Sequence, residues 1–235
     1  MSWLAGLWRT REPLSPDVRA RLEAYRALPP PDDAVSASAQ RCIVVDVETS
    51  GLQPSSDSLL AIGAVAVNNG LIRYDDVFSV FLRQACPSPP ANILVHGIDG
   101  TTQTSAADPA QALAAFLTYI GKSPLIAFRA DFDRMFINRT MRSVLDITPA
   151  NVWIDLAALA PCFVPEHAST ARGLDDWMAA FGIDNYARHE ALADAVATAQ
   201  LLQVVLARAA RAGALRWSAL ASQARAQRWL ERQGS

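Results

Sequence analysis

The stretch Cys42-Ile-Val-Val-Asp-Val-Glu-Thr-Ser-Gly-Leu52 sets the frame for the rest of the chain. Its first residues form a short β-branched apolar run, the pattern of a buried strand, and Ser50-Gly51 is the turn that ends it. Asp46 and Glu48 stand at i and i+2. Side chains alternate between the faces of a strand, so both acids share one face at its end. Such strand ends are where open α/β sheets place ligands. On its own the pair has an ordinary explanation, because any strand must end in polar residues.

Working outward, Leu59 to Val67 and Leu71 to Leu82 are two more apolar runs, joined at Asn68-Asn69-Gly70, a hairpin signal. Periodicity then predicts a helix over 109–120, a strand over Leu125 to Phe128, a helix over about 132–144, and a short apolar segment, Val152 to Asp155, leading into a helix. Further helices are expected around 174–181 and from about 191 to 210. Three consecutive strands followed by alternating helices and strands make an α/β domain with a mixed sheet. Upstream, Ser15-Pro16 with Val18, Leu22 and Tyr25 reads as a capped helix with one apolar stripe, stopped by Pro29-Pro30-Pro31. The expected organisation is a helical extension and linker over 1–40, a core domain over 41–207 and a basic C-terminal helix over 208–235.

The 235 residues are 51% hydrophobic and 19% charged, ordinary globular usage that excludes wholesale disorder. Leu59 to Val67, the longest apolar stretch, is less than half a membrane span, and the segment from Met1 to Trp8 lacks the leading positive charge of a signal peptide. Cys42, Cys86 and Cys162 fit neither a disulfide framework nor a zinc clip. A soluble, cytoplasmic protein with no membrane partner is expected. Charge is uneven: residues 42–207 carry 17 acidic and 9 basic side chains, whereas 208–235 carry six arginines and one acid. An acidic middle argues against a module that grips nucleic acid by charge alone.

Asp133 opens a helix after the strand Leu125 to Phe128, and Asp194 lies near the start of the long helix, preceded by His189. Five residues on one helix diverge by roughly 140°, so His189 belongs on the loop before it. Taken singly, the two aspartates are helix-N-terminal acids favoured by the macrodipole, and His189 is a solvated loop residue. Taken together, three motifs change the balance. Asp46-Val-Glu48-Thr-Ser-Gly-Leu52, then Ala130-Asp-Phe-Asp133-Arg-Met-Phe136, then His189-Glu-Ala-Leu-Ala-Asp194-Ala195 resemble in order and spacing the motifs of DEDDh-type 3′-to-5′ exonucleases. That family includes the bacterial DNA polymerase III epsilon proofreading subunit. Val95-His96-Gly97-Ile98 and Gly173-Leu-Asp-Asp-Trp177 look like secondary landmarks, and the resemblance covers about 41–206.

The resemblance implies an RNase H-like mixed sheet flanked by helices, here with N- and C-terminal helical extensions. It also implies two divalent metal ions, Mg²⁺ or Mn²⁺, and release of nucleoside 5′-monophosphates from a 3′ end. By matching position, Asp46, Glu48, Asp133 and Asp194 would be metal ligands and His189 the general base. Elementary electrostatics agrees: carboxylates about 5 Å apart repel by roughly 3 kcal/mol per pair at an effective dielectric near 20, so the cluster wants cations or protons. Oxygen-only ligands suit magnesium or manganese rather than zinc. Two ions would activate a water, clamp the phosphate and stabilise the leaving oxygen, and His189 would take the proton. The turn Thr49, Ser50, Gly51 and Leu52, together with His96, would contact the terminal nucleotide, with Leu52 against the base; the alternatives are Leu52 in the core and His96 as a turn histidine.

Where the family commonly has His-Asn before the second motif, this chain has Phe128-Arg129. Either Phe128 finishes a buried strand and Arg129 is solvated, or they stack on a base and bind a phosphate. Arg208, Arg211, Arg216, Arg225, Arg228 and Arg232, interspersed with Trp217, Leu220, Trp229 and Leu230, form either a single-strand surface or an amphipathic helix packed on the body. Trp3, Leu4, Leu7 and Trp8 pose the same choice, and pairing of the termini or of two copies stays open. The expected function is a metal-dependent exonuclease on single-stranded 3′ ends, DNA preferred over RNA, in replication or repair, with a DNA polymerase as partner if it proofreads. The alternatives are a non-catalytic nucleic-acid or polymerase-binding module, a stand-alone RNA-trimming exoribonuclease and a small-nucleotide phosphohydrolase.

Overall fold

The computed structural model describes residues 13–185, 187–214 and 216–233. Trp3, Leu4, Leu7 and Trp8 lie outside them. Helix α1 (Pro16–Ala27) starts where Ser15 Oγ accepts the Val18 N–H at 3.3 Å and buries Val18, Leu22 and Tyr25. After it come strands β1 (Cys42–Thr49), β2 (Leu59–Asn68) and β3 (Leu71–Phe81), an antiparallel meander. Short helices α2 (Pro90–His96) and α3 (Gly100–Ser105) and the longer α4 (Pro109–Ile120) lead to β4 (Leu125–Ala127). Helix α5 (Asp131–Leu145), strand β5 (Trp153–Asp155) and helices α6 (Leu156–Phe163), α7 (Leu174–Phe181), α8 (Ala191–Arg211) and α9 (Trp217–Gln233) complete the chain.

The sheet order is β3-β2-β1-β4-β5, with β4 and β5 parallel to β1, so the sheet is mixed and β1 is central. The alternation of β1 is what places the site. Ile43, Val45 and Val47 pack with α1, α4 and α5 on one face. Cys42 and Val44 pack with α6, α8 and α9 on the other. Asp46 and Glu48 continue the Cys42–Val44 series and therefore emerge on the α8 face. Helix α8 is the one described helix long and apolar enough to cross a membrane, yet it is the buried helix of this core, with Ala195, Ala199, Leu202 and Val205 fully covered.

Strand β4 stops at Ala127, one residue short of the expected span, and Phe128 lies in the turn after it. Helix α8 runs on past position 207 to Arg211 before α9 begins. Helix α9 buries Trp217, Leu220, Ala221 and Ala224 against the body while Trp229 and Leu230 stay exposed. Arg228 is not part of a free basic face, because it pairs with Asp131 and with Asp155 Oδ2 at 3.3 Å.

Candidate active site

Four acids from three parts of the chain meet where β1 ends. Oxygens of Asp46, Glu48 and Asp194 lie within 4.8 Å of one another. Asp194 arrives in the first turn of α8, which covers the face on which Asp46 and Glu48 emerge. Asp133 arrives in the first turn of α5, around the end of β1 from the opposite face. It stands outside the triangle of oxygens, yet its charge acts on both Asp46 and Glu48. Asp133 and Asp194 are almost wholly buried, at 4% and 5% exposure.

Crowding acids into a dry site disfavours their charged forms. Burial, and then the charges of Asp133, Asp194 and Glu48, hold the Asp46 carboxyl well above the usual carboxylate range. Burial and the Asp194 charge push Glu48 up to about 8. Burial likewise raises Asp133 to about 8, against the main-chain N–H groups of Asp133 and Val47, which favour its charge. An all-oxygen set in which burial and neighbouring charge hold Asp46 and Glu48 above the usual carboxylate range fits hard divalent cations, and no Cys or His joins the triangle.

His189 sits on the loop before α8 with φ +65°, a left-handed conformation costly for a residue with a side chain. It lines a cleft of about 360 Å³ together with Glu48, Phe81, His96, Ile98 and Arg188. His96 is buried and its nitrogens are taken: Nδ1 accepts the Ile98 N–H at 3.0 Å and Nε2 pairs with Ser88 Oγ at 3.0 Å. Burial pushes its pKa down, so the neutral ring braces the α2–α3 loop with no nitrogen left over for a ligand. Thr49 Oγ1 donates to the Gly51 carbonyl at 2.7 Å, and Ser50 Oγ accepts the Ser58 N–H at 2.8 Å. These hydroxyls shape the turn, leaving Leu52, 79% exposed, projecting from it rather than in the core.

Phe128 and Arg129 are not brought to that cleft. They line a second one, of about 570 Å³, with Arg172, Trp177 and Arg228. Phe128 is half-buried against the core, and the Arg129 N–H donates to Asp155 Oδ1 at 2.9 Å. Sequence reasoning passed over Arg188, whose Nη1 lies 2.6 Å from Asp194 Oδ1. It also passed over Gly63, which faces Asp46 across the β1–β2 ladder. Arg188 directly precedes His189, which is a signal of place but not of partner. Gly63 in the interior of an apolar strand is a sign of close backbone approach.

Fold and acid cluster together define a phosphodiester-hydrolase architecture, and comparison with known proteins agrees. Residues 43–202 match the RNase T family, described as exonuclease, and the chain belongs to it. DNA polymerase III PolC-type from Bacillus subtilis is 32% identical over 172 residues, 73% of this chain but 12% of that protein. A DNA polymerase III subunit epsilon-like protein from Rhodobacter capsulatus is 32% identical over 161 residues, 67% of this chain and 22% of its own length. The chain thus matches only a minor part of these relatives. The E. coli ExoI–ssDNA complex in its zinc-bound form superposes with a TM-score of 0.64 at 19% identity, over 74% of this chain and 42% of that one, a likeness of fold.

Proposed function

We propose that this chain is a divalent-metal-dependent exonuclease that removes nucleoside 5′-monophosphates from the 3′ ends of single-stranded nucleic acid, DNA in preference to RNA. The observation that carries this reading is the convergence of Asp46, Glu48 and Asp194 within 4.8 Å, with Asp133 beside them and His189 lining the cleft that Glu48 also lines. Asp46, Glu48, Asp133 and Asp194 would hold two ions, Mg²⁺ or Mn²⁺. Bound there, the ions supply Lewis acidity, polarising the scissile phosphate and lowering the pKa of the attacking water.

The chain's own groups do the rest. His189, on its loop and lining the cleft, accepts the proton of the attacking water. The exposed Leu52 lies against the terminal base, and the Thr49–Gly51 turn and the His96-braced loop set the walls of the subsite. Phe128 and Arg129 guide the strand further back, across the second cleft. The relatives' names, which are those of DNA polymerases, support DNA as the polymer and a polymerase as partner. Residues 41–207 act as the nuclease domain, 1–40 and 208–235 as helical extensions, in the cytoplasm.

A 5′-labelled single-stranded oligonucleotide incubated with Mn²⁺ or with EDTA tests the proposal. A ladder shortening from the 3′ end only with metal is expected. Retarded but uncut substrate would instead make the chain a binding module, and a faster ladder on RNA than on DNA would reverse the sugar preference.

A further inference from the structure

Arg188 has no task in the reaction above, yet its guanidinium is held between two carboxylates. Its Nη1 lies 2.6 Å from Asp194 Oδ1, and its Nε lies 2.9 Å from Oδ1 of Asp175, an exposed residue of α7. Asn185 Nδ2 donates to the same Asp194 Oδ1 at 2.5 Å, and the His189 main-chain N–H donates to Oδ2 at 3.3 Å. Three donors from one short loop therefore close on one carboxylate. A carboxylate oxygen offers two lone pairs, so Asp194 Oδ1 is fully used by Asn185 and Arg188, and an ion that takes Oδ1 must displace one of them. A magnesium-like ion needs such an oxygen at about 2.0–2.1 Å, along a lone pair that a guanidinium cannot share.

We infer that Arg188 is a tethered competitor of the metal for Asp194: a built-in cation that holds the acid when no ion is present and is displaced when one enters. This rests on the reading of Asp46, Glu48 and Asp194 as ion ligands. The site is anionic enough to need such a countercharge, since the Arg188 charge opposes the mutual repulsion felt by both Asp46 and Glu48. The exit route is already built. Asp175 grips the other side of the guanidinium, so Arg188 releases Asp194 without becoming an unpaired charge. Because His189 is the next residue and its own N–H is bound to Asp194, ion entry and repositioning of the histidine loop become a single event. Arg188 is thus a positioning residue that links metal loading to the placement of the general base.

Calorimetric titration of Mn²⁺ into the full-length protein tests this, with Arg188→Ala, Arg188→Lys, Asp46→Asn and Arg134→Ala compared with the parent at fixed pH and salt. Removing a charge-assisted hydrogen bond that the ion must break is expected to tighten Mn²⁺ binding of Arg188→Ala by roughly tenfold or more. Arg188→Lys, which keeps the charge and loses the fork, falls between the two and serves if the alanine variant does not fold. Arg134→Ala removes the same charge from an exposed pair with Asp131 and is expected to leave the affinity unchanged. Hydrogen exchange provides the second readout: Mn²⁺ is expected to expose the His189 amide in the parent and to leave it unaffected in Arg188→Ala. If Asp46→Asn abolishes binding while Arg188→Ala matches the parent, the competition is overturned and the metal site stands. If the parent shows no Mn²⁺ binding that Asp46→Asn removes, the metal site and the competition fall together.

Discussion

Gly63 of β2 packs so tightly under the first turn of α8 that a Cβ on it would fall 2.2 Å from the main-chain carbon of Ala191. Gly63 is also the ladder partner of Asp46. The absent side chain is therefore what lets α8 sit down on the sheet directly beside Asp46, bringing Asp194 within reach of it. A helix lifted by even one methyl group would separate the two acids that this approach unites.

Gly63→Ala is accordingly expected to act on both stability and site. Overpacking of this kind costs roughly 1–3 kcal/mol. A lower urea midpoint is expected, together with weaker Mn²⁺ binding, although Gly63 carries no ligand. An alanine variant with parental metal affinity would show that α8 can shift without consequence for Asp194.

Asp46→Asn keeps the volume of the side chain and removes its charge. Metal-dependent cleavage is expected to fall by at least about 10²–10³, the loss seen when one preorganised electrostatic group is removed. In EDTA the same variant is expected to melt no lower than the parent, because the amide, like the protonated acid it replaces, carries no charge in the cluster; with Mn²⁺ the order reverses. Scanning calorimetry in both buffers checks this.

His189→Gln tests the proton acceptor. Loss of a general base lowers kcat by about 10²–10⁴. Only the main-chain N–H of His189 touches Asp194, so Mn²⁺ affinity is expected to stay at the parental value. Single-turnover cleavage and a metal titration on the same preparation separate the two effects.

The metal-free protein should lose stability as the solution becomes alkaline. The folded-state pKa of Glu48 is about 8 against an ordinary 4.5, and that of Asp133 is about 8 against 3.8. Between those values the native state holds protons that the unfolded chain has released, so the stability of folding falls as pH rises and is fully present only below the unfolded values. In EDTA the melting temperature is expected to decline across this window. Saturating Mg²⁺ is expected to flatten the curve, since bound cations take over from the protons. A metal-free profile that rises toward pH 8 would contradict the clustering.

Much of the fold was legible because its signals are local. The Cys42–Val47 run, the Asn68-Asn69-Gly70 hairpin and the Ser15-Pro16 start of α1 each depend on residues within a few positions of one another, and each forms as expected. The end of β4 was one residue early because the turn at Phe128 and Arg129 is held from outside, by Asp155 of β5 accepting the Arg129 N–H. His96, readable from the sequence as a nucleotide contact or as a turn histidine, has its nitrogens bound to Ser88 and Ile98, partners visible only once the α2–α3 loop is folded.

By itself the sequence determined which residues could share a face: period-two alternation puts Asp46 beside Glu48, and a separation of five takes His189 off the helix that carries Asp194. Those are consequences of backbone geometry, which acts between near neighbours. Only the tertiary structure decided that Gly63 admits α8 to the sheet and that Arg188 spans Asp175 and Asp194. Such contacts depend on steric fit and charge between elements that only the folded backbone brings face to face, and neither is written in the spacing of residues along the chain.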